Sequence, residues 1–265
     1  MSVYHKESPK FLELAMNSMF NQTVSPDEFV LICDGPLTDE LDSVIRDKKS
    51  QYPEILRVIR YPENRGLGKA LQSGLRKCSN DLVARMDSDD ISLPDRCEKQ
   101  LTYMEQHPEI SIIGGTIAEF EEDPSVISSK RVLPEDSEDI IRFSKSRNPF
   151  NHMTVMYRKH DILDVGGYKH FPYLEDYYLW VRMFMKGYKG HNLKDTLVYA
   201  RVGNGMIGRR SGIQYADLQK RLFRYMLREN YITRAQYAKA VISRTVISVV
   251  PGNLRKLVYD RILRK

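Results

Sequence analysis

Cysteine is scarce in this sequence: Cys33, Cys78 and Cys97 lie in or beside apolar segments and share no CxxC spacing. Buried thiols in a reducing compartment are the simplest reading, so a cytosolic chain without disulfides is expected. Long apolar runs are missing too. The longest one near the end, residues 240–250, is interrupted by Arg244 and is too short to span a bilayer. The N-terminus has neither an apolar h-region nor a cleavage site, so no signal peptide is expected. There is no internal repeat and no low-complexity tract. No serine or cysteine sits in an elbow sequence, which argues against Asp34, His152 and Cys97 as a hydrolase triad. Residues 64–71 do not make a dinucleotide fingerprint either, because Leu71 stands where the third glycine is needed. They do not make a Walker loop, because no glycine stands five before Gly68.

What is present describes an ordinary folded protein. The 265 residues are 42% hydrophobic and 29% charged, enough for one α/β domain with a tail. The net charge of +6 hides an asymmetry. From Met206 onward 14 basic residues stand against 3 acidic ones, a net +11, which leaves −5 for the rest. A basic tail on an acidic body suggests a polyanionic partner. In the tail Leu254, Leu257, Val258 and Ile262 recur at helical spacing beside Arg255, Lys256, Arg261, Arg264 and Lys265. Such helices lie on anionic membrane surfaces, so a peripheral position on the inner face of the plasma membrane is expected. Phe223, Tyr225, Tyr231 and Tyr237 interleave with arginines, but no recognised nucleic-acid motif accompanies them, and no nucleic-acid partner is expected.

Apolar β-branched runs alternate with helical periodicity, as in a mainly parallel sheet covered by helices. The runs predict strands over 29–33, 57–61, 82–86, 111–113, 154–157 and 196–200. Helices are predicted over 9–20, from Leu67 to beyond Leu75, over 95–107 and over 177–186. Met1-Ser2-Val3-Tyr4 reads as the end of a first strand whose beginning lies further upstream. Residues 119–139, acidic and rich in turns, read as a surface excursion.

The segment Met86-Asp87-Ser88-Asp89-Asp90 carries the most chemistry. Three carboxylates directly follow an apolar strand, at the edge where open α/β sheets bind ligands. Closely spaced carboxylates repel unless a hard cation compensates them, and oxygen ligation suits Mn2+ or Mg2+. The plainer alternative is an acidic turn capping the next helix. Asn64 to Leu71 reads as a loop feeding a helix N-terminus, with Arg65 and Lys69 available to an anion. The segment 201–212 gathers glycines around Arg209 and Arg210, either a lid gripping a diphosphate or a flexible basic linker. Glu175-Asp176 opens a helix, and either an N-cap or a general base fits there.

Ser2-Val3-Tyr4, Cys33-Asp34-Gly35, Asn64-Arg65-Gly66-Leu67-Gly68-Lys69-Ala70-Leu71, Met86-Asp87-Ser88-Asp89-Asp90 and Leu174-Glu175-Asp176 occur in the order and spacing of family 2 glycosyltransferases. Over residues 1 to 205 the chain resembles that family, most of all its bacterial O-antigen and exopolysaccharide branch. The resemblance implies a GT-A type, Rossmann-like fold: a mainly parallel sheet flanked by helices, here with a helical basic C-terminal extension. It divides the chain into a glycosyltransferase domain, 1–205, and the extension, 206–265. Within the first, residues to about 115 would bind the nucleotide and 116–205 the acceptor.

It also implies an inverting hexosyltransferase that takes a UDP-sugar donor and a divalent cation, Mn2+ or Mg2+, at its DXD motif. The acceptor would be a saccharide, expected on a polyprenyl diphosphate. By this likeness Val3 and Tyr4 lie beside the base and Asp34 hydrogen-bonds it. Asp87 contacts the ribose or the sugar, and Asp90 supports Asp89 or touches the donor sugar; from their own segments, not from the likeness, Arg65 is placed near the donor and Arg209 and Arg210 are candidate donor contacts. Asp89 binds the metal and Asp176 is the catalytic base. Glu175 orients the acceptor or the loop, and His152, in Asn148-Pro149-Phe150-Asn151-His152, contacts the acceptor or packs as a structural histidine. Two other readings stay open: a polyprenyl-phosphate glycosyltransferase needing no base, and a non-catalytic nucleotide-sugar-binding membrane scaffold.

Overall fold

The computed structural model describes residues 1–203 and 212–249, the side chains of 212–213 and 245–249 excepted. The proposed lid arginines Arg209 and Arg210, and the tail apolar stripe from Leu254 to Ile262, lie outside the described residues.

The chain runs β1 (Ser2–Val3), α1 (Pro9–Phe20), β2 (Phe29–Cys33), α2 (Asp39–Gln51), β3 (Leu56–Arg60) and α3 (Leu67–Lys77). It continues through β4 (Leu82–Ala84), β5 (Ile91–Ser92), α4 (Arg96–Gln106), β6 (Ile110–Phe120), β7 (Ser129–Arg131) and α5 (Ser137–Ser144). After a 3-10 turn at His152–Thr154 come β8 (Met156–Arg158), α6 (Lys159–Asp164), α7 (Glu175–Met185), β9 (Lys189–Arg201), α8 (Gly212–Arg228) and α9 (Arg234–Val249).

Strand β2 is apolar at all five positions because both of its faces are covered. Phe29, Leu31 and Cys33 enter the core shared with α1 and α2, while Val30 and Ile32 pack on Ala70 of α3. β1, β2 and β3 pair in parallel, so their C-terminal ends share one edge. The second sheet has six strands in the order β4-β8-β6-β9-β5, with β7 beside β6. There only β6 and β9 run parallel; β4, β5, β7 and β8 join antiparallel. Parallel pairing thus holds for the first sheet and the long β6–β9 ladder. The remaining strands need no helical crossover, so they pair antiparallel.

β6 and β9 are far longer than the expected 111–113 and 196–200. Gly114 and Gly115 lie inside β6, where a Cβ at Gly115 would fall 2.4 Å from Leu197 Cδ1. Residue 115, the expected boundary between two halves, therefore falls within one unbroken strand. The strand expected at 154–157 begins at Met156, after the 3-10 turn.

The C-terminal helices do not form a separate body. Leu222, Phe223 and Met226 of α8, Ile232, and Ala240 of α9 share a core with Leu174, Tyr177 and Val181 around α7. The aromatics Phe223, Tyr225, Tyr231 and Tyr237 belong to this packing. Arg244 completes it: its guanidinium lies 4.1 Å from the Phe223 ring centroid and donates to Ser146 O at 2.6 Å.

Candidate active site

The shared edge of β1 and β2 places Tyr4 and Asp34 next to each other in space: the amide of Asp34 donates to Val3 O at 2.8 Å. The Val3 side chain is buried in the core, while Tyr4 is exposed at this edge. Asp34 is buried, and its two carboxylate oxygens accept from the amides of Arg65 at 2.8 Å and Gly66 at 3.0 Å. Asn64 Nδ2 donates to Asp34 O at 3.1 Å. Asp34 therefore anchors the 63–66 loop that starts α3. Gly35 makes this possible: at φ +93 its Cα faces the loop so closely that a Cβ would lie 2.7 Å from Asn64 N. The Arg65 guanidinium is exposed and lies 5.1 Å from the centroid of the Tyr61 ring.

The acidic segment follows β4 and is held from below by three arginines. Arg85, buried, forms a two-point ion pair with Asp87, one contact being Nη1 to Oδ2 at 2.5 Å. Arg96, fully buried, donates through Nη2 to Arg85 O at 2.7 Å, and burial lowers its pKa to about 10. Arg201, at the end of β9, donates its amide to Asp90 Oδ1 at 2.8 Å and its Nε to Asp89 O at 3.2 Å. Its guanidinium sits 3.8 Å from the Phe11 ring centroid and 4.5 Å from that of Phe120. From the other side Ser88 Oγ donates to Glu7 Oε2 at 2.5 Å.

Burial, then the charges of Asp87 and Glu7, raise the Asp89 pKa from 3.8 to about 7. Burial, then Asp89 and Asp87, push Asp90 well above the usual carboxylate range. With Asp87 already paired, Asp89 stands in excess negative charge with no cation as partner among the described residues. Among those residues no group of three or more His, Cys, Asp or Glu forms a ready-made metal cage. An oxygen donor in surplus negative charge fits a hard divalent cation that takes its other ligands from water and phosphate, as Mg2+ commonly does.

Asp176 lies in the first turn of α7. It accepts from Asn148 Nδ2 at 2.6 Å and from the Tyr177 amide at 2.7 Å. Asn148 Oδ1 in turn accepts from the Phe150 amide at 3.3 Å, which fixes the flip of its side chain. Glu175 is buried, and a Cβ at Gly68 would come within 2.9 Å of its Cγ, so the start of α7 presses on the start of α3. His152 shares a 2.9 Å hydrogen bond with the Tyr168 hydroxyl, its ring edge-on to Trp180. Tyr168 is buried and hydrogen-bonds Tyr157. Burial drives its pKa well up, and it feels the charges of both Arg85 and Asp176. Arg85 and Asp176 thus both act electrostatically on one phenol.

Sequence reasoning missed Arg85, Arg201, Asn148, Tyr168 and Glu7. Arg85 carried a signal, since it interrupts an apolar strand two residues before Asp87.

The glycosyl transferase family 2 profile matches residues 1–167. The chain belongs to glycosyl transferase family 2. An uncharacterized glycosyltransferase of Haemophilus influenzae is 44% identical to this enzyme across all of the chain and 98% of its own length. The amylovoran biosynthesis glycosyltransferase AmsE of Erwinia amylovora is 37% identical over 98% of the chain and 97% of its own length. An Escherichia coli enzyme named UDP-Gal:alpha-D-GlcNAc-diphosphoundecaprenol beta-1,3-galactosyltransferase is 36% identical over the whole chain and 95% of its own length.

Among solved structures, S. aureus TarS 1–349 in complex with UDP-GlcNAc superposes with a TM-score of 0.67 at 17% identity, covering 92% of the chain and 70% of that structure. The mannosyltransferase PcManGT of Pyrobaculum calidifontis, in complex with GDP-Man and Mn2+, gives 0.65 at 16% over 99% of the chain and 79% of that structure. The glycosyltransferase has the GT-A type fold, and it spans 44% of a longer TarS structure.

Proposed function

We propose that this glycosyltransferase moves a hexose from a UDP-sugar, with inversion, to a saccharide carried on a polyprenyl diphosphate, in bacterial surface polysaccharide synthesis. The observation that supports the reading is that Asp176, held by Asn148, and Arg85, which pairs with Asp87, both act electrostatically on one buried tyrosine, Tyr168. An in-line displacement needs a carboxylate at the acceptor hydroxyl and a separate site for the departing diphosphate. The named substrate of the Escherichia coli relative and the UDP-GlcNAc bound to TarS support the choice of donor and acceptor.

Tyr4, Asp34 and Arg65 receive the uridine end, Asp34 both as a contact and as the anchor of the 63–66 loop. Asp87 and Asp90 bound the ribose and sugar. Asp89 would hold a divalent cation, in keeping with the Mn2+ of the PcManGT complex; when bound there, it neutralises charge on the diphosphate. Asp176 accepts the proton of the acceptor hydroxyl as its oxygen bonds to the anomeric carbon. The bond from that carbon to the diphosphate oxygen breaks on the opposite face, and UDP departs with the electron pair. Positive charge develops on the sugar ring meanwhile. Asn148 keeps Asp176 aimed, and Glu175 and His152 bound the acceptor side. Residues 1–115 and 116–205 would divide the work between donor and acceptor, and the enzyme would lie on the inner face of the plasma membrane.

The test is transfer from a panel of UDP-hexoses to GlcNAc-diphosphoundecaprenol. Asp176→Asn should lower kcat by about 10²-fold or more, with UDP affinity unchanged. Full activity in that variant would sink the base assignment and favour a lipid phosphate as the nucleophile. Tight UDP binding with no transfer to any acceptor would favour a non-catalytic scaffold.

A further inference from the structure

Helix α3 carries a second charged feature that donor chemistry does not use. Its sequence, LGKALQSGLRK, contains no aspartate or glutamate. A merely solvated helix face usually mixes the two signs at i, i+4 spacing. Here Lys69 and Arg76, with Arg65 just before the helix, line a cleft of about 250 Å3 together with Gln72, Ser73 and Tyr168. None of the three cations is in an ion pair among the described residues. Lys69 and Arg76 are exposed. The opposite wall is the turn at Gly167 and Tyr168, packed against the Gln72 side chain. Gln72 Oε1 is buried there without a hydrogen-bond partner. The helix N-terminus adds its partial positive charge to the same end.

The cleft shares Tyr168 with the candidate site. Tyr168, which forms its wall, bonds His152 and lies within electrostatic reach of Asp176. Lys69 and Arg76 are seven residues apart, about 10 Å along the helix axis. That carries the positive stripe away from the Arg65 end, where the donor enters. A diphosphate carries several anionic oxygens on two linked phosphoryl groups, and two long cationic side chains lining one cleft can donate to it from either end, more than a single carboxylate would engage.

We infer that this cleft binds the diphosphate of the lipid-linked acceptor, with Lys69 and Arg76 as its main contacts. The acceptor sugar then reaches past Tyr168 toward Asp176, while the polyprenyl chain leaves over the outer surface of α3. This assignment rests on the acceptor being a lipid diphosphate, as proposed above, but its test needs no sugar transfer.

The probe is farnesyl diphosphate, titrated calorimetrically into the full chain already saturated with UDP, so that the donor diphosphate site is filled. It should bind without displacing UDP. The double variant Lys69→Gln/Arg76→Gln should bind it at least about tenfold more weakly, the scale expected for losing charge-assisted contacts. UDP affinity should stay within about twofold, and farnesol should bind the two proteins alike. Equal binding of farnesyl diphosphate by both proteins would overturn the assignment, as would displacement of the probe by UDP. A parallel loss of UDP affinity in the variant would assign these residues to the donor instead. Inorganic pyrophosphate binding as tightly as farnesyl diphosphate would mean that a free diphosphate, not a lipid-linked one, is what the cleft takes. A chain that binds the probe as expected yet transfers to no acceptor would count against the proposed function alone.

Discussion

Asp89 is the residue whose behaviour most sharply separates a cation site from an acidic turn. Surrounded by Asp87, Asp90 and Glu7, its carboxyl has its pKa raised to about 7, burial contributing most. A cation must displace that proton to bind. Metal-dependent UDP affinity should therefore rise with pH and level off above about 7. Below that it should fall by about tenfold per pH unit, since one proton is exchanged. Titration of UDP with Mn2+ between about pH 5.5 and 8 reads this slope. The Asp89→Asn chain, which should bind UDP with no metal dependence, controls for the titration of UDP itself. A slope shared by both proteins would remove Asp89 from the metal site. The three carboxylates were legible in sequence because they are adjacent in the chain. Their supports were not. Arg201 grips Asp89 and Asp90 from 112 and 111 residues away, and Asn148 holds Asp176 across 28. No local pattern marks a residue whose partner the fold brings from so far.

At the scale of elements, the start of α3 touches the start of α7 through Gly68 and Glu175. Alanine suits a helix better than glycine by about 1 kcal/mol, but its Cβ at position 68 would fall 2.9 Å from Glu175 Cγ. Gly68→Ala should therefore change thermal stability by no more than about 1–2 kcal/mol, propensity and overpacking opposing each other. Transfer should drop by about 10- to 10²-fold, because Glu175 and with it Asp176 are displaced. Parallel measurement of the unfolding midpoint and kcat/KM decides the matter: transfer at the native rate would mean that this contact does not position the base. Sequence periodicity found α1, α3, α4 and α7 to within two residues of their observed ends; α1 and α3 bury one largely apolar stripe, while α4 buries Arg96 and Gln100 with Met104 and α7 is covered almost all round. The short β8 and the long β6 and β9 were misjudged. Polar residues such as Lys189, Asn192 and Asp195 lie in β9, and two glycines lie in β6. Their strand state is imposed by pairing rather than by composition.

For the molecule as a whole, the question is what the basic C-terminal part does. Among the described residues no helix is long and apolar enough to cross a membrane. α8 packs its apolar face around α7, and Tyr237 and Ala240 of α9 join the same core. The proposed membrane attraction is therefore assigned to the residues after 249, where Leu254, Leu257, Val258 and Ile262 stand among five cations, each contributing about 1 kcal/mol near an anionic surface. A chain ending at Val250 should fold as the full chain does, yet sediment far less with anionic vesicles. The full chain's binding should weaken with salt without vanishing. Equal sedimentation of both chains, or indifference to lipid charge, would show that the last residues do not hold the enzyme at a membrane. Removing residues from Thr233 onward would be a poorer test, because it would strip Ala240 and Arg244 from the core.

The sequence by itself determined the family, the strands and helices of the first ninety or so residues apart from α2, and the contiguous acidic segment. Each is written in neighbours along the chain: a buried strand is apolar throughout, an amphipathic helix repeats its apolar positions, and a carboxylate cluster is contiguous. Only the tertiary structure decided which charges are compensated and where the surplus remains. Arg85 neutralises Asp87 and leaves Asp89 unpaired, while α3 keeps its cations unmatched beside Tyr168. It also decided that the basic helices α8 and α9 complete the core around α7. Burial and long-range pairing set these outcomes, and both depend on distances that exist only once the chain has folded.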